Sequence, residues 1–225
     1  MALKGGAALA WWWRPGAGRA AAVDAWHIGE HIPERMRIAG FIRGRRYTAW
    51  EGGGAGFMLY EARSLDVFHG DAYLARLNDP TPLTRRMLPS LLDARRAALE
   101  VGTSLGRGIG GCMLTHTLEP DAHRADDLRR RLACGLLPLA VARPGISGAH
   151  LLVPGPDEAG AETEEGRLRR GADRAGEWAV LLEGADRAAL RPLAGELMEE
   201  VQRWGARTIA SDMYRLLYEL EADEV

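Results

Sequence analysis

The sequence predicts an α+β protein built from two consecutive βαββαβ repeats that close on each other as an intramolecular antiparallel barrel. Apolar runs at strand spacing alternate with segments at helical spacing, and the same order of elements occurs twice along 225 residues. The glycine of the turn after the first helix, Gly40, has its counterpart at Gly145, an offset of 105 residues. Each unit forms an antiparallel sheet with helices on one face, and its other face is apolar and needs a cover. Two such sheets in one chain can therefore cover each other without a second subunit.

The first repeat is predicted to span residues 1–106 and to hold the active site. A dense apolar run predicts a strand at 9–13, and apolar residues at steps of three or four predict a helix at 19–32. A hairpin follows, with strands at 41–50 and 56–62 around Gly52-Gly53-Gly54. Asp71 is a candidate N-cap for a short helix through residue 77, and alternating polarity predicts the last strand at 97–103.

The second repeat, residues 107–225, is predicted to be mainly structural. Its expected strands lie at 112–118, 148–153, 178–183 and 213–220, and its expected helices at 122–142 and 187–204. A polar insertion at 154–175, rich in glycine, glutamate and arginine, is predicted to be a mobile loop.

Composition excludes several classes of function. The hydrophobic fraction is 47%, the charged fraction is 27% and the net charge is only -2, so nucleic acid is not an expected partner. Lys4 is the only lysine, which removes Schiff-base and P-loop chemistry from consideration. Two cysteines are too few for a disulfide scaffold, and no apolar run is long enough to span a membrane. We therefore expect a cytoplasmic protein with no membrane contact.

The stretch His27-Ile28-Gly29-Glu30-His31 is the strongest candidate for chemistry. Histidines at i and i+4 project from one helix face, where they suit either an acid–base pair or two metal ligands. The stretch also has the H-x-x-E-H pattern of inverted zinc peptidases, in which Glu30 would activate water. We predict no metal site, with zinc kept as an alternative.

The run from Trp26 to Pro33, with His31-Ile32-Pro33 at its end, Gly40-Phe41 and then Tyr47, resembles the EthD-like branch of the dimeric α+β barrel superfamily. The resemblance implies a ferredoxin-like fold with a small-molecule pocket between sheet and helices. Members and relatives of this family include cofactor-free monooxygenases, cyclases, isomerases and lyases, as well as some haem enzymes. The family therefore implies roles in secondary metabolism or catabolism and leaves the reaction open.

Further side chains of the first repeat are candidates for substrate binding. Arginines on the second strand suit a carboxylate or an enolate oxygen, tyrosine hydroxyls suit a substrate oxygen, and tryptophan rings of the first strand suit the floor of a pocket. These candidates are Arg43, Tyr47, Tyr60 and Trp13. We expect Arg43, Arg45 and Arg46 to lie on a partly solvated strand, because three arginines in four positions are not expected to be buried together. Alternation is expected to place Arg43 and Arg45 on one face with Phe41.

The second repeat has Leu132 and Leu136 at the positions 105 residues after the two histidines. A purely structural helix face would carry leucine at these places, so the histidines of the first repeat are expected to have a function.

The sequence thus favours cofactor-free proton transfer on a small carbonyl- or carboxylate-bearing molecule. His31 would act as the base, His27 or Glu30 would orient it, and Arg43 or Tyr47 would stabilise the oxyanion. A non-catalytic ligand-binding protein and a zinc or haem enzyme that uses His27 and His31 are the alternatives. Pairing of two chains as a homodimer is also left open.

Overall fold

A computed structural model describes residues 3–51, 54–155, 162–169, 171–173 and 176–225. By its internal contacts, the chain forms two compact units. The leading unit comprises Lys4–Glu100, Gly155–Ala175 and Leu217–Val225. The trailing unit comprises Met1–Leu3, Val101–Pro154 and Gly176–Leu216. The predicted repeats, residues 1–106 and 107–225, were delimited by the order of elements along the chain, so their bounds differ from those of the two units.

The strands and helices follow the predicted order, with an additional helix and an additional strand in the inserted segment. The strands are β1 Ala7–Pro15, β2 Phe41–Ala49, β3 Gly56–Ala62, β4 Leu91–Gly106, β5 Cys112–Pro120, β6 Ile146–Pro154, β7 Gly171–Asp173, β8 Trp178–Gly184 and β9 Ala206–Glu221. The α-helices are α1 Ala20–Trp26, α2 Ile32–Met36, α3 Asp66–His69, α4 Asp71–Asn78, α5 Pro82–Met87, α6 Ala125–Arg131, α7 Leu137–Val141, α8 Glu164–Leu168 and α9 Arg187–Arg203. Short 3₁₀ turns occupy Leu88–Ser90 and Ala222–Glu224. No helix in the described part of the chain is long and apolar enough to cross a membrane.

Each unit contains a ferredoxin-like antiparallel sheet. In the leading unit β1 pairs with both β3 and β4, and β2 pairs with β3, which gives the order β4–β1–β3–β2. In the trailing unit β5 pairs with both β8 and β9, and β6 pairs with β8, which gives the corresponding order β9–β5–β8–β6. The predicted α+β class with tandem ferredoxin-like repeats is therefore confirmed.

Both units carry a π turn at the same place in the first helical segment. The turns span His27–His31 and Leu132–Leu136, and in each the N–H of the following residue bonds to a carbonyl five residues earlier. A proline, Pro33 or Pro138, follows two residues after each turn. Proline lacks an N–H and clashes with the carbonyl four residues before it, so a widened turn relieves the conflict. The single helices predicted at 19–32 and 122–142 are thus each divided by a π turn.

The leading core lies between the helices and one face of β1, β2 and β3. Leu9, Trp11 and Trp13 alternate towards the helices, and Val23 and Trp26 of α1 pack against them. Gly44 of β2 permits this close packing, because a Cβ there would lie 2.9 Å from Ile32 Cγ2.

The inserted segment contains regular structure in its described part. Thr163 caps α8 by accepting a hydrogen bond from the N–H of Gly166. The strand β7 then pairs in parallel with β4. The predicted mobility at 154–175 falls partly on residues 156–161, 170 and 174–175, which lie outside the described residues.

Candidate functional site

His27 and His31 lie in the leading core among tryptophan rings. They are 0% and 2% exposed, and their ring centroids are 5.5 Å apart. Trp11 lies 5.8 Å from each imidazole, and Trp13 stacks on His27 at 4.8 Å. The π turn therefore places both histidines on the face that meets the sheet.

Burial keeps both imidazoles neutral. The pKa of His27 is lowered well below its usual value, first by burial and then by the positive charge of Arg46. The pKa of His31 is likewise lowered by burial, and the charges of Arg35, His27 and Arg96 lower it further. Nδ1 of His27 lies 3.0 Å from the carbonyl oxygen of Val23, so in the neutral ring it donates the hydrogen bond.

A small buried cavity lies beside His31 and within the leading unit. Its volume is about 10 Å³, the space of about one water molecule. Its lining residues come from β1, β3, β4, the π turn, α2, α4 and the inserted segment. They are Leu9, Trp11, His31, Arg35, Tyr60, Tyr73, Arg96, Glu165 and Arg169.

Three residues that line this cavity, His31, Tyr60 and Trp11, each have one buried polar atom without a hydrogen-bond partner in the described part of the chain. Within the described ranges, neither Nδ1 of His31 nor the hydroxyl of Tyr60 has a hydrogen-bond partner. Burial raises the pKa of Tyr60 well above its usual value, so the phenol stays protonated and can donate. A proton acceptor and a proton donor thus line the same small space.

Charged side chains surround these two groups. Nη2 of Arg35 donates to Glu165 Oε1 at 2.5 Å, and Nη1 of Arg35 donates to Glu34 at 3.1 Å. Nη1 of Arg96 donates to the hydroxyl of Tyr73 at 3.0 Å. Three arginines and one glutamate line the cavity, and Glu34 provides a second carboxylate beside Arg35.

Two of the predicted site residues line the cavity, and the others do not. His31 and Tyr60 line the cavity, with ring centroids 6.3 Å apart, while His27 and Trp13 lie behind its wall. Glu30 instead accepts hydrogen bonds from the hydroxyls of Thr81 and Thr84 at 2.5 and 3.2 Å, which tie the π turn to α5.

The arginines of β2 correct an expectation from the sequence. A bulge after Phe41 puts this ring on the helix side of the sheet and Arg43 on the other face. Arg43, Arg45 and Arg46 are all buried, at 2%, 0% and 1% exposure, so the prediction of a partly solvated strand was wrong. The buried carboxylate of Glu61, which lies 2.7 Å from Arg43 and 3.1 Å from Arg45, balances their charge and permits their burial.

Neither Arg43 nor Tyr47 is among the residues that line the cavity. Tyr47 is paired with Phe57 across the sheet and lies 5.9 Å from the guanidinium of Arg45. Arg46 faces the helix side, where it bonds to Asp24 at 2.6 Å and lies over the ring of Trp13.

Sequence reasoning missed several lining residues. Arg35 follows His31 by four residues, so the same helical spacing that paired the histidines could have identified it. Arg96 follows from the register of β4 against β1, where it is opposite Trp11. Glu165 and Arg169 come from the insertion, and no local pattern links a residue to a partner 130 positions away.

Other histidines lie elsewhere. His69 is exposed at the end of α3. In the trailing unit, burial lowers the pKa of His116 to about 4, and its ring lies 3.2 Å from the hydroxyl of Thr208. His150 lies between Ser104 and Glu183 at 3.0 and 3.2 Å, a buried network that the sequence did not indicate.

The arrangement of possible metal ligands can be read from the described residues. Among them, no three histidine, cysteine, aspartate or glutamate side chains converge as metal ligands. Glu30 is held by two threonines, so the H-x-x-E-H pattern does not form a zinc-peptidase arrangement.

The two ferredoxin-like units give the chain a fold of the α+β barrel type. The chain is similar to a solved anthrone oxidase-like protein, with a TM-score of 0.66, 11% identity and coverage of 99% of this chain and 96% of that one. It is also similar to a protein from Fusobacterium nucleatum assigned as a monooxygenase, with a TM-score of 0.58, 6% identity and coverage of 97% and 96%. A protein assigned as a chlorite dismutase gives a TM-score of 0.54, 12% identity and coverage of 94% and 95%.

No protein-family model matches the sequence, and comparison with curated proteins gives no match. At these low identities, the likeness to solved structures shows the fold alone.

Proposed function

We propose that this chain is a small-molecule enzyme of the barrel superfamily that catalyses proton transfer next to a carbonyl group without a cofactor. The observation that carries the proposal is that one cavity is lined by a neutral imidazole and a phenol, and that within the described chain neither Nδ1 of the imidazole nor the phenol hydroxyl has a hydrogen-bond partner. A carbonyl compound with an acidic hydrogen needs a base for its proton and a donor for the oxyanion that forms. His31 and Tyr60 provide these two functions.

His31 is suited to act as the base. Its pKa lies well below the usual value, so the ring is unprotonated at neutral pH. Nδ1 has no partner within the described part of the chain, which leaves a nitrogen available for a substrate proton. The ring of His27 meets His31 edge-on at an interplanar angle of 86° and fixes its orientation.

Tyr60 is suited to stabilise the oxyanion. Its hydroxyl stays protonated, and the guanidinium groups of Arg35 and Arg96 add positive charge to the same cavity. The aromatic wall of Trp11 and the side chain of Leu9 would contact the apolar part of the substrate. This arrangement supports a carbonyl- or carboxylate-bearing substrate and assigns the oxyanion to Tyr60 in place of Arg43 or Tyr47.

The EthD-like resemblance of the run around His31 supports assignment to that branch, and we extend the proposal to it. The sequence has only two cysteines, Cys112 and Cys134, which are too few for a disulfide scaffold and accord with the cytoplasmic location that we propose. Those isomerase, cyclase, lyase and monooxygenase reactions that begin with removal of such a proton remain within the proposed chemistry.

Exchange of substrate hydrogen with deuterated water tests the proposal. Phenylpyruvate and phenylacetone each carry an acidic hydrogen beside a carbonyl and serve as probes. We expect enzyme-dependent exchange on at least one probe, its loss in His31→Ala and its retention in His69→Ala, since His69 is exposed and outside the cavity. Equal exchange by both variants, measured by nuclear magnetic resonance, contradicts the role of His31.

A further inference from the structure

The cavity at His31 contains a carboxylate supplied by the protein itself. Glu165, the only acidic residue among the described residues that line the cavity, lies 2.5 Å from Arg35. The side chains of both partners are buried, at 6% and 2% exposure. Buried arginine requires an anionic partner, and Glu165 fills that requirement from a separate segment of the chain.

The rest of the lining is arranged for an anion with an apolar body. Arg35, Arg96 and Arg169 outnumber the single carboxylate. Tyr60 contributes a buried hydroxyl with no partner within the described chain, and such a group gains most from an acceptor. Leu9 and Trp11 provide apolar surface on the side of β1.

The cavity volume is about 10 Å³, so an organic molecule, including the substrate of the proposed function, fits only after the Glu165 side chain has moved. The helix α8 that carries Glu165 has only five residues. Its other polar contacts include an exposed ion pair between Glu164 and Arg85 at 2.9 Å and a bond from the N–H of Glu164 to Asn78 at 3.2 Å. Exposed pairs of this kind contribute little stability, so the buried pair with Arg35 is the main polar contact to be replaced.

We propose that the cavity binds a small aromatic or apolar carboxylate, which takes the place of the Glu165 side chain on Arg35. This inference rests on the proposed function in taking the His31 cavity as the substrate site, and it adds the charge class of the ligand. The carboxylate bonds to Arg35, Tyr60 donates to one of its oxygens, and its apolar body packs on Trp11. Glu34 remains the second partner of Arg35.

Binding of benzoate and its uncharged analogue benzamide tests the charge class. In Glu165→Gln the competing charge is lost, so benzoate is expected to bind at least about tenfold more tightly than to the unchanged protein, as measured by calorimetry. Benzamide affinity is expected to stay the same. Glu164→Gln is the matched control, because it removes the neighbouring carboxylate of α8, and it is expected to alter neither affinity.

The unchanged protein gives a second measurement that does not depend on a variant. Saturating benzoate is expected to speed hydrogen exchange of the backbone amides at 164–168, because Glu165 leaves Arg35, whereas benzamide is expected to leave them unchanged. Benzoate binding that is no tighter in Glu165→Gln, equal binding of benzamide, or unaltered exchange in α8 under saturating benzoate overturns the inference.

These outcomes separate the inference from the proposed function. Tight benzoate binding without His31-dependent exchange on either carbonyl probe supports the anion site and contradicts the enzyme. Exchange on phenylacetone but not on phenylpyruvate, together with no benzoate binding, supports the enzyme and contradicts the anion site.

Discussion

At the scale of a single residue, Tyr60 keeps a buried hydroxyl group that lowers the free energy of unfolding. Its hydroxyl is buried and has no partner within the described chain. An unsatisfied buried hydroxyl costs about 1–3 kcal/mol, so Tyr60→Phe is expected to raise the free energy of unfolding by about 1 kcal/mol. The same variant is expected to slow deuterium exchange on phenylpyruvate about 100-fold, because the oxyanion loses its donor.

Tyr73 is the matched control for this prediction. It lines the same cavity, but its hydroxyl accepts a hydrogen bond from Arg96 at 3.0 Å. Tyr73→Phe is therefore expected to lower the free energy of unfolding by about 1 kcal/mol in urea titrations. If both variants were destabilised equally, the assignment of Tyr60 as an unsatisfied donor would be wrong.

At the scale of elements, contact between the π turn region and β2 depends on Gly44. A Cβ at this position would lie 2.9 Å from Ile32 Cγ2 and 3.1 Å from the ring of Tyr60. Gly44→Ala is therefore expected to destabilise the protein by about 1–3 kcal/mol and to reduce exchange activity, because Tyr60 must move. Urea denaturation and the exchange assay measure the two effects.

Gly29 serves as the control for this substitution. It lies within the π turn, and a Cβ there would meet no atom within 4 Å. Gly29→Ala is expected to stabilise the protein by about 0.5–1 kcal/mol, because alanine loses less backbone entropy than glycine. Destabilisation by Gly29→Ala together with a neutral Gly44→Ala would contradict the close packing at β2.

Apolar runs and turn residues were sufficient to predict the strands of both four-stranded sheets, because β1, β3 and β8 are short, continuous apolar runs that are buried along nearly their whole length. The π turns were beyond such reasoning, although Pro33 indicated a disturbed helix. The bulge in β2 reversed the face of Phe41 relative to Arg43, and a single inserted residue leaves no periodic signal.

At the scale of the whole molecule, buried neutral histidines make stability depend on pH. Burial lowers the pKa of His27, His31 and His116 below the usual value of 6.5. The unfolded chain therefore binds more protons than the folded protein as pH falls below about 6.5. The stability that the neutral histidines contribute is present above that pH, and it is lost as pH falls through the folded-state pKa values. We expect the urea midpoint to decrease between about pH 7 and pH 5.

Histidine variants test this dependence on pH. Each buried neutral histidine contributes at most about 1.4 kcal/mol per pH unit, so His31→Gln is expected to reduce the slope of stability against pH. His69→Gln, at an exposed position, is expected to leave the slope unchanged. An identical slope in the two variants would show that His31 is not held neutral by burial.

The candidate site was partly predictable because some of its members are local in sequence. The i, i+4 spacing of His27 and His31 and the divergence of the second repeat at Leu132 and Leu136 identified the correct helical face. The ion pair between Arg35 and Glu165 joins residues far apart in the chain, so it becomes visible only after folding. Hydrophobic patterning locates a core, and it does not specify which buried charges are paired within it.

The duplicated π turn has a consequence for protein engineering. In the leading unit, a π turn holds the histidine pair. The trailing unit has the same widened backbone at Leu132–Leu136. Leu132 and Leu136 are therefore natural grafting positions, and a second imidazole pair can be installed there without redesign of the main chain.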